Sequence, residues 1–107
     1  MGFFRFLHGP DINQGVEEYA ATPGAVLLDV RTPGEYASGH IQGSRNLPLD
    51  SLREITKTIP EKETPIFLHC LSGARSRQAE AILVQMGFTN VKNIGGISAW
   101  KGKVVTA

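Results

Sequence analysis

Residues 65–77, PIFLHCLSGARSR, decide the fold of this chain. The first part, from Pro65 to Cys70, is a short apolar run of the kind that forms strands buried on both faces of a parallel sheet. The second part, from Leu71 to Arg77, is small and polar and contains one glycine. Apolar residues then recur at helical spacing until a glycine stops the pattern, namely Ala79, Ile82, Leu83, Met86 and Gly87. The stretch therefore predicts a strand, a tight loop and the start of a helix.

Two further apolar runs flank this unit. Residues 25–30 (AVLLDV) predict a second buried strand, and residues 90–94 (NVKNI) predict a third, more exposed one. A strand, a helix and a strand in succession favour a right-handed crossover and a parallel pair. We also predict helices over residues 11–21 and from Asp50 or Ser51 to Pro60. This alternation predicts an α/β domain with helices on both faces of the sheet.

Length and composition limit the possible functions. The chain has 107 residues, and we expect a single domain over residues 1–107. Its formal net charge of +1 offers no broad basic field, so we expect no nucleic-acid partner. The apolar residues 1–7 end long before a membrane span would be complete, so we interpret them as a strand or a docking arm and expect no membrane association. Without an export signal, and with an unpaired thiol, the chain is expected in the cytoplasm.

Cys70 is the only cysteine, so it cannot form an intramolecular disulfide or supply the thiolates of a structural zinc site. It stands at the end of a predicted strand, where open α/β sheets bind their ligands. A glycine-containing loop before a helix aims backbone N–H groups inward and makes an anion site. These groups, together with the charge of Arg75, favour thiolate over thiol. We therefore expect a nucleophile with a lowered pKa, and we expect Ser76 to cap the helix.

The alternative is that Cys70 is only a small core residue, which is the usual role of a cysteine at the end of an apolar strand. A core cysteine does not need a tight polar loop, an arginine five positions later and a helix start directly after it. The combination of these features favours the reactive thiolate.

Three motifs in this chain resemble those of the rhodanese family. The first is residues 28–48 (LDVRTPGEYASGHIQGSRNLP), the second is residues 70–76 (CLSGARS), and the third is residues 95–100 (GGISAW). They follow the family's order, and the span from the first motif to the last, residues 28–100, covers most of the chain. The resemblance implies a rhodanese-like three-layer α/β fold, with a five-stranded parallel core sheet and helices on both faces.

The resemblance also implies sulfurtransferase chemistry through a persulfide, with no metal and no organic cofactor. Cys70 would accept the sulfur, and Arg75 would close the loop around it. Asp29 and Arg31 would brace this loop as a charged pair. The substrate-binding residues implied in the same way are Leu71, Ser72, Gly73, Ala74 and Ser76.

In this chemistry the thiolate attacks the outer sulfur of thiosulfate or a similar small-molecule donor and releases sulfite. The acceptor that then removes the sulfur is cyanide, a thiol, or a thioredoxin-like or other sulfur-accepting protein. Cysteine phosphatases and arsenate reductases form a less favoured alternative, because their loops are one residue longer than the four residues between Cys70 and Arg75. Another alternative is a persulfide carrier or regulatory module for a protein partner. Leu71 keeps this alternative open because many family members have a basic residue directly after the cysteine.

Other polar residues near the motifs have weaker assignments. Neighbouring side chains of a strand point to opposite faces, so His69 should face away from the nucleophilic thiol. We expect His40 to anchor the segment before the next strand. Glu35 is a candidate partner of Arg31, and Arg77 either attracts anionic donors or is a solvated charge.

Overall fold

A computed structural model describes residues 9–106 and contains one sheet of four parallel strands. The order across this sheet is β2-β1-β3-β4, so β1 and β3 are central and β2 and β4 lie at its edges. All three neighbouring pairs are parallel. Parallel strands need crossover connections between them. The strands are β1 (Val26–Asp29), β2 (Arg45–Asn46), β3 (Ile66–Cys70) and β4 (Val91–Gly96).

Helices lie against both faces of the sheet. Helix α1 (Ile12–Ala21) packs on one face. Helix α2 (Pro33–Ser38) is short and belongs to the connection from β1 to β2. Helix α3 (Ala74–Gln85) packs on the second face with a long 3₁₀ helix (Leu49–Lys57), and a 3₁₀ turn (Ile97–Ala99) follows β4. The α/β class predicted from the sequence is confirmed.

The side chains of the central strands alternate between the two faces. On β3, Ile66, Leu68 and Cys70 pack with α3 and the 3₁₀ helix, whereas Phe67 packs with α1. Both central strands are buried along their whole length because helices cover both faces. His69 therefore points toward the α1 face, away from the thiol, as the sequence predicts.

The expected five-stranded sheet is corrected to four strands within residues 9–106. The C-terminal segment adds no fifth strand there, because it pairs through a single antiparallel bridge between His40 and Val105. The strand or docking arm predicted at residues 1–7 lies outside the described residues. Within the described range, no helix combines the length and the apolar character needed to cross a membrane.

The loop after β3 rests directly on the end of β4. A Cβ atom at Gly96 would overlap the Leu71 carbonyl group and lie 2.6 Å from Ser72 Cα. Gly95 has a φ of +106°, a left-handed conformation that glycine adopts without strain. The absence of a side chain at Gly96 therefore lets β4 contact the backbone of the cysteine loop.

We expect the substitution Gly96→Ala to lower the free energy of unfolding by about 1 to 3 kcal/mol, because the added methyl group must push the loop off β4. Chemical denaturation measures this change. Gly34→Ala is the matched control, since a Cβ atom there meets nothing within 4 Å and Gly34 lies in α2. The control should be neutral or slightly stabilising. Equal stability of Gly96→Ala and the parent protein would contradict this account of the loop.

Candidate active site

The thiol of Cys70 lies at the carboxyl end of β3, beneath the loop that leads into α3. The residue exposes only 1% of its surface. Its Sγ accepts hydrogen bonds from the N–H groups of Gly73, at 3.0 Å, and Ser76, at 3.4 Å. The Ser76 hydroxyl lies 3.5 Å from the same sulfur and can act as donor or acceptor. The loop thus forms a cradle of polar hydrogens around a buried sulfur atom.

Gly73 makes this cradle possible. It is the N-cap of α3 and has a φ of +105°, which turns the chain sharply from the loop into the helix. The first N–H groups of a helix have no partner within the helix, and here that of Ser76 donates to the sulfur together with the N–H of the N-cap Gly73. The prediction that Ser76 caps α3 is wrong, because no side chain caps the helix and Ser76 lies inside its first turn.

The environment of Cys70 lowers the pKa of its thiol below the ordinary value. Burial acts against this, because a charged sulfur loses its hydration. The hydroxyl and N–H of Ser76 and the N–H groups of Gly73 and Ser72 outweigh the burial by stabilising the thiolate. The direction agrees with the sequence prediction. The leading stabilisers are hydrogen bonds of the loop, and not the charge of Arg75.

Arg75 forms a bidentate ion pair with Glu35. Its Nη1 donates to Oε1 at 2.7 Å, and its Nη2 donates to Oε2 at 3.0 Å. Each side chain keeps about a third of its surface exposed, at 33% and 31%. The Arg75 hydrogen bond, followed by one from the Thr32 backbone, lowers the pKa of Glu35 from 4.5 to about 2. The suggested pairing of Glu35 with Arg31 is therefore wrong.

Glu35 is positioned by the start of α2. Thr32 Oγ1 accepts a hydrogen bond from the Glu35 N–H at 3.3 Å, and Glu35 Oε1 accepts one from the Thr32 N–H at 3.0 Å. This capping box is visible in the sequence as Thr-Pro-Gly-Glu, which fits the T-x-x-E pattern of a helix start. The pattern predicts the helix but not the pairing with an arginine 40 residues away.

Asp29 and Arg31 form a buried ion pair at the end of β1, exposed by 0% and 5%. Arg31 Nη2 donates to Asp29 Oδ2 at 2.8 Å and also to the Gly39 carbonyl at 2.8 Å. The pair therefore holds the segment that carries α2, and α2 carries Glu35. Its link to the cysteine loop runs through the Glu35–Arg75 pair.

Two histidines of the described residues, His40 and His69, make no hydrogen bond to the sulfur. His69 is fully buried, and burial lowers the pKa of its imidazole. Its Nε2 lies 3.8 Å from Asp29 Oδ2 and has no hydrogen-bond partner among the described residues. His40 stacks on Tyr36 at 3.8 Å between ring centroids and contacts the Tyr36 carbonyl through Nδ1. His40 thus anchors its segment, as predicted.

Arg77 is exposed, and no hydrogen bond joins it to the sulfur within the described residues. It lines a groove of about 670 Å³ together with backbone of the loop and of β4. Other residues of this groove are Ser72, Gly73, Glu80, Asn93 and Gly95. Arg77 therefore faces the groove and solvent, and the cradle of Cys70 is built without it.

A buried thiol within a cradle of N–H groups, at the carboxyl end of a central parallel strand, defines an α/β domain centred on a cysteine loop. The family model for the rhodanese-like domain matches residues 13–103. The chain therefore belongs to the rhodanese family.

Characterised relatives and solved structures agree with this assignment. The chain is 41% identical over 71 residues to the thiosulfate sulfurtransferase PspE of Escherichia coli K12, covering 65% of this chain and 68% of PspE. A sulfurtransferase of Allochromatium vinosum is 41% identical over 85 residues and is covered over 78% of each chain. The structure of a rhodanese with anions from E. coli has a TM-score of 0.72 at 34% identity, covering 78% of this chain and 99% of that one.

We expect Glu35→Gln to lower the free energy of unfolding at neutral pH by about 1 kcal/mol or less, because the ion pair is partly exposed. The pKa of Glu35 is lowered from 4.5 to about 2 in the folded state. The stabilisation is therefore complete above about pH 4.5 and is lost as the pH falls toward 2. Denaturation curves of the two proteins should converge over this range.

Glu54→Gln serves as the control, since Glu54 and Lys57 form a pair exposed by 61% and 74%. It should change the free energy of unfolding by a few tenths of a kcal/mol at most, at about the scale of exposed helix pairs. A difference between Glu35→Gln and the parent protein that stays constant from neutral to acid pH would contradict the assigned ion pair.

Proposed function

We propose that this protein is a sulfurtransferase that moves a sulfane sulfur from thiosulfate, or a similar donor, to an acceptor through a persulfide on Cys70. The observation that carries the proposal is the convergence of the Gly73 and Ser76 N–H groups on Sγ. Membership of the rhodanese family supports it, as do the names of the thiosulfate sulfurtransferase relatives.

In the first half-reaction the Cys70 thiolate attacks the outer sulfur of thiosulfate. A new sulfur–sulfur bond forms at Sγ, the sulfur–sulfur bond of thiosulfate breaks, and sulfite leaves with the electron pair. No proton is transferred if the thiol is already ionised. The lowered pKa of Cys70 favours that state, and His69 lies on the opposite face of β3.

In the second half-reaction an acceptor attacks the outer sulfur of the persulfide, and Cys70 leaves as a thiolate. Cyanide becomes thiocyanate, and a thiolate becomes a persulfide. The outer sulfur is an anion, and preorganised N–H donors are the groups that stabilise such a charge. We assign this role to the backbone of Leu71, Ser72, Gly73 and Ala74, with Ser76 beside Sγ and Arg75 closing the loop.

The size of the loop supports sulfur over phosphate as the transferred group. Four residues separate Cys70 from Arg75, and a shorter loop makes a smaller bowl. A single sulfur atom fits such a bowl better than a tetrahedral phosphate does. Because a free thiol is maintained under reducing conditions, we assign the reaction to the cytoplasm.

A second candidate function is that of a persulfide carrier that delivers sulfur to a protein. The observation that favours it is the side chain of Leu71, which is 44% exposed directly beside the nucleophile. An exposed apolar residue there offers a contact to a protein acceptor, whereas a cation would attract the thiosulfate dianion. The two functions share the Cys70 persulfide and differ in the partner that removes the sulfur.

Intact mass spectrometry tests the persulfide. Incubation with thiosulfate should add one sulfur atom to the parent chain, and cyanide should remove it. Because Cys70 is the only cysteine, Cys70→Ser is a complete control and should show no adduct. A folded parent protein that gains no sulfur would contradict the proposed function.

We expect Leu71→Lys to raise kcat/KM for thiosulfate by about fivefold, because a cation at a partly exposed site is worth about 1 kcal/mol to an anionic donor. Steady-state kinetics at low salt measure the gain, and added salt should reduce it. Leu71→Gln is the matched control, since it is polar and neutral. An equal gain in kcat/KM in both variants would show that the positive charge at position 71 does not cause the increase.

A further inference from the structure

The hydroxyl group of Ser76 lies between the sulfur of Cys70 and the side chain of Asn93. Ser76 is fully buried on the first turn of α3, and Asn93 lies on β4. The Ser76 Oγ is 2.7 Å from Asn93 Oδ1 and 3.5 Å from Cys70 Sγ. Asn93 does not belong to any of the three sequence motifs, and the proposed chemistry assigns it no role.

The partners of Asn93 determine where the Ser76 hydroxyl hydrogen points. The Gly95 N–H donates to Asn93 Oδ1 at 3.0 Å, so this atom is the amide oxygen and accepts only. A hydroxyl oxygen 2.7 Å from that atom must donate to it. Ser76 has one hydroxyl hydrogen, and its other acceptors, the carbonyls of Gly73 and Gly95, are farther away at 3.1 and 3.4 Å.

While the Ser76 hydroxyl donates its hydrogen bond to Asn93, the lone pairs of Ser76 Oγ therefore face Cys70 Sγ. This orientation lets a neutral thiol donate its S–H to Ser76, and it gives no hydrogen bond to a thiolate. The Ser76 hydroxyl stabilises a thiolate only when it rotates away from Asn93, so its hydrogen bond to Asn93 opposes that stabilisation. Asn93 and the ionised sulfur thus compete for one hydrogen.

We propose that Asn93 is a positioning residue that holds the Ser76 hydroxyl away from Cys70 and thereby sets how readily the thiol ionises. This inference rests on the proposed function, in which Cys70 is the nucleophile. Its geometric basis is the chain of contacts from Gly95 through Asn93 and Ser76 to the sulfur.

The consequence for sulfur transfer is a balance between the two half-reactions. A more basic thiolate attacks the donor faster, whereas a less basic thiolate leaves the persulfide faster. In the persulfide, Sγ is bonded to the outer sulfur, and the Ser76 hydroxyl keeps its hydrogen bond to Asn93 Oδ1. When the sulfur is removed and charge develops on Sγ, the hydroxyl can turn toward it, and no proton leaves Ser76.

The charged groups around Cys70 do not set how readily its thiol ionises in the way proposed for Asn93. Arg75 and Glu35 neutralise each other, as do Asp29 and Arg31, and the charged residues of the 3₁₀ helix are exposed. The titratable or charged groups on the remaining packed elements are Arg77 and Glu80 of α3, Lys92 of β4 and His69 of β3. Of these, Glu80 contacts Asn93 itself, where Oε2 accepts the backbone N–H at 3.2 Å.

The test is the pH titration of the Cys70 thiolate, followed by its ultraviolet absorbance in the free protein. Asn93→Ala should lower the thiol pKa by about half a unit to one unit, the scale of one net hydrogen bond, because the Ser76 hydroxyl becomes available to the thiolate. In a Ser76→Ala background, Asn93→Ala should leave the pKa unchanged. No shift in the parent background, or an equal shift in both, would overturn the proposal.

Asn93→Asp keeps an acceptor for the Gly95 N–H and carries the test if Asn93→Ala does not fold. It should raise the thiol pKa, and raise it more in the parent than in the Ser76→Ala background, because the carboxylate holds the hydroxyl more firmly. An equal rise in both backgrounds would overturn the proposal. The titration uses no sulfur donor, so failure of the persulfide assay and failure of this inference are separate results.

Discussion

The hydrogen bond from the Gly73 N–H to Cys70 Sγ, at 3.0 Å, is the interaction on which the site depends. It exists because Gly73 takes a left-handed conformation and turns the chain into α3 directly over the sulfur. Burial of a thiol normally opposes its ionisation, so without such donors Cys70 would be an inert core residue. The loop surrounds a buried cysteine with donors that favour its thiolate by geometry alone, with no charged group bonded to the sulfur in the described structure.

Two supports hold that geometry in place. From below, Gly96 allows β4 to contact the backbone of the loop without a side chain between them. The second support is the ion pair between Glu35 and Arg75, which lies on the first turn of α3. The capping box of α2 holds Glu35 in place. The buried pair of Asp29 and Arg31 fixes the segment that carries this helix. Contacts from β4, α2 and the end of β1 therefore hold the loop in its position.

The sequence was sufficient to predict the local order of strand, loop and helix around Cys70, because periodicity and turn residues are local signals. It also predicted that His69 faces away from the thiol, since strand alternation settles that question. It could not predict that Arg75 binds Glu35, because the two lie 40 residues apart and only tertiary packing joins them. The contact of Asn93 with Ser76 could not be predicted for the same reason. The strand count came from a resemblance and not from a pattern in the chain.

We propose above all that the cysteine loop holds a persulfide sulfur on Cys70. A crystal structure of the protein after reaction with thiosulfate tests this most directly. The account predicts one additional sulfur atom bonded to Sγ and within hydrogen-bond distance of N–H groups of residues 71–75. A reacted protein whose added sulfur points away from those N–H groups, or is bonded elsewhere, would contradict it.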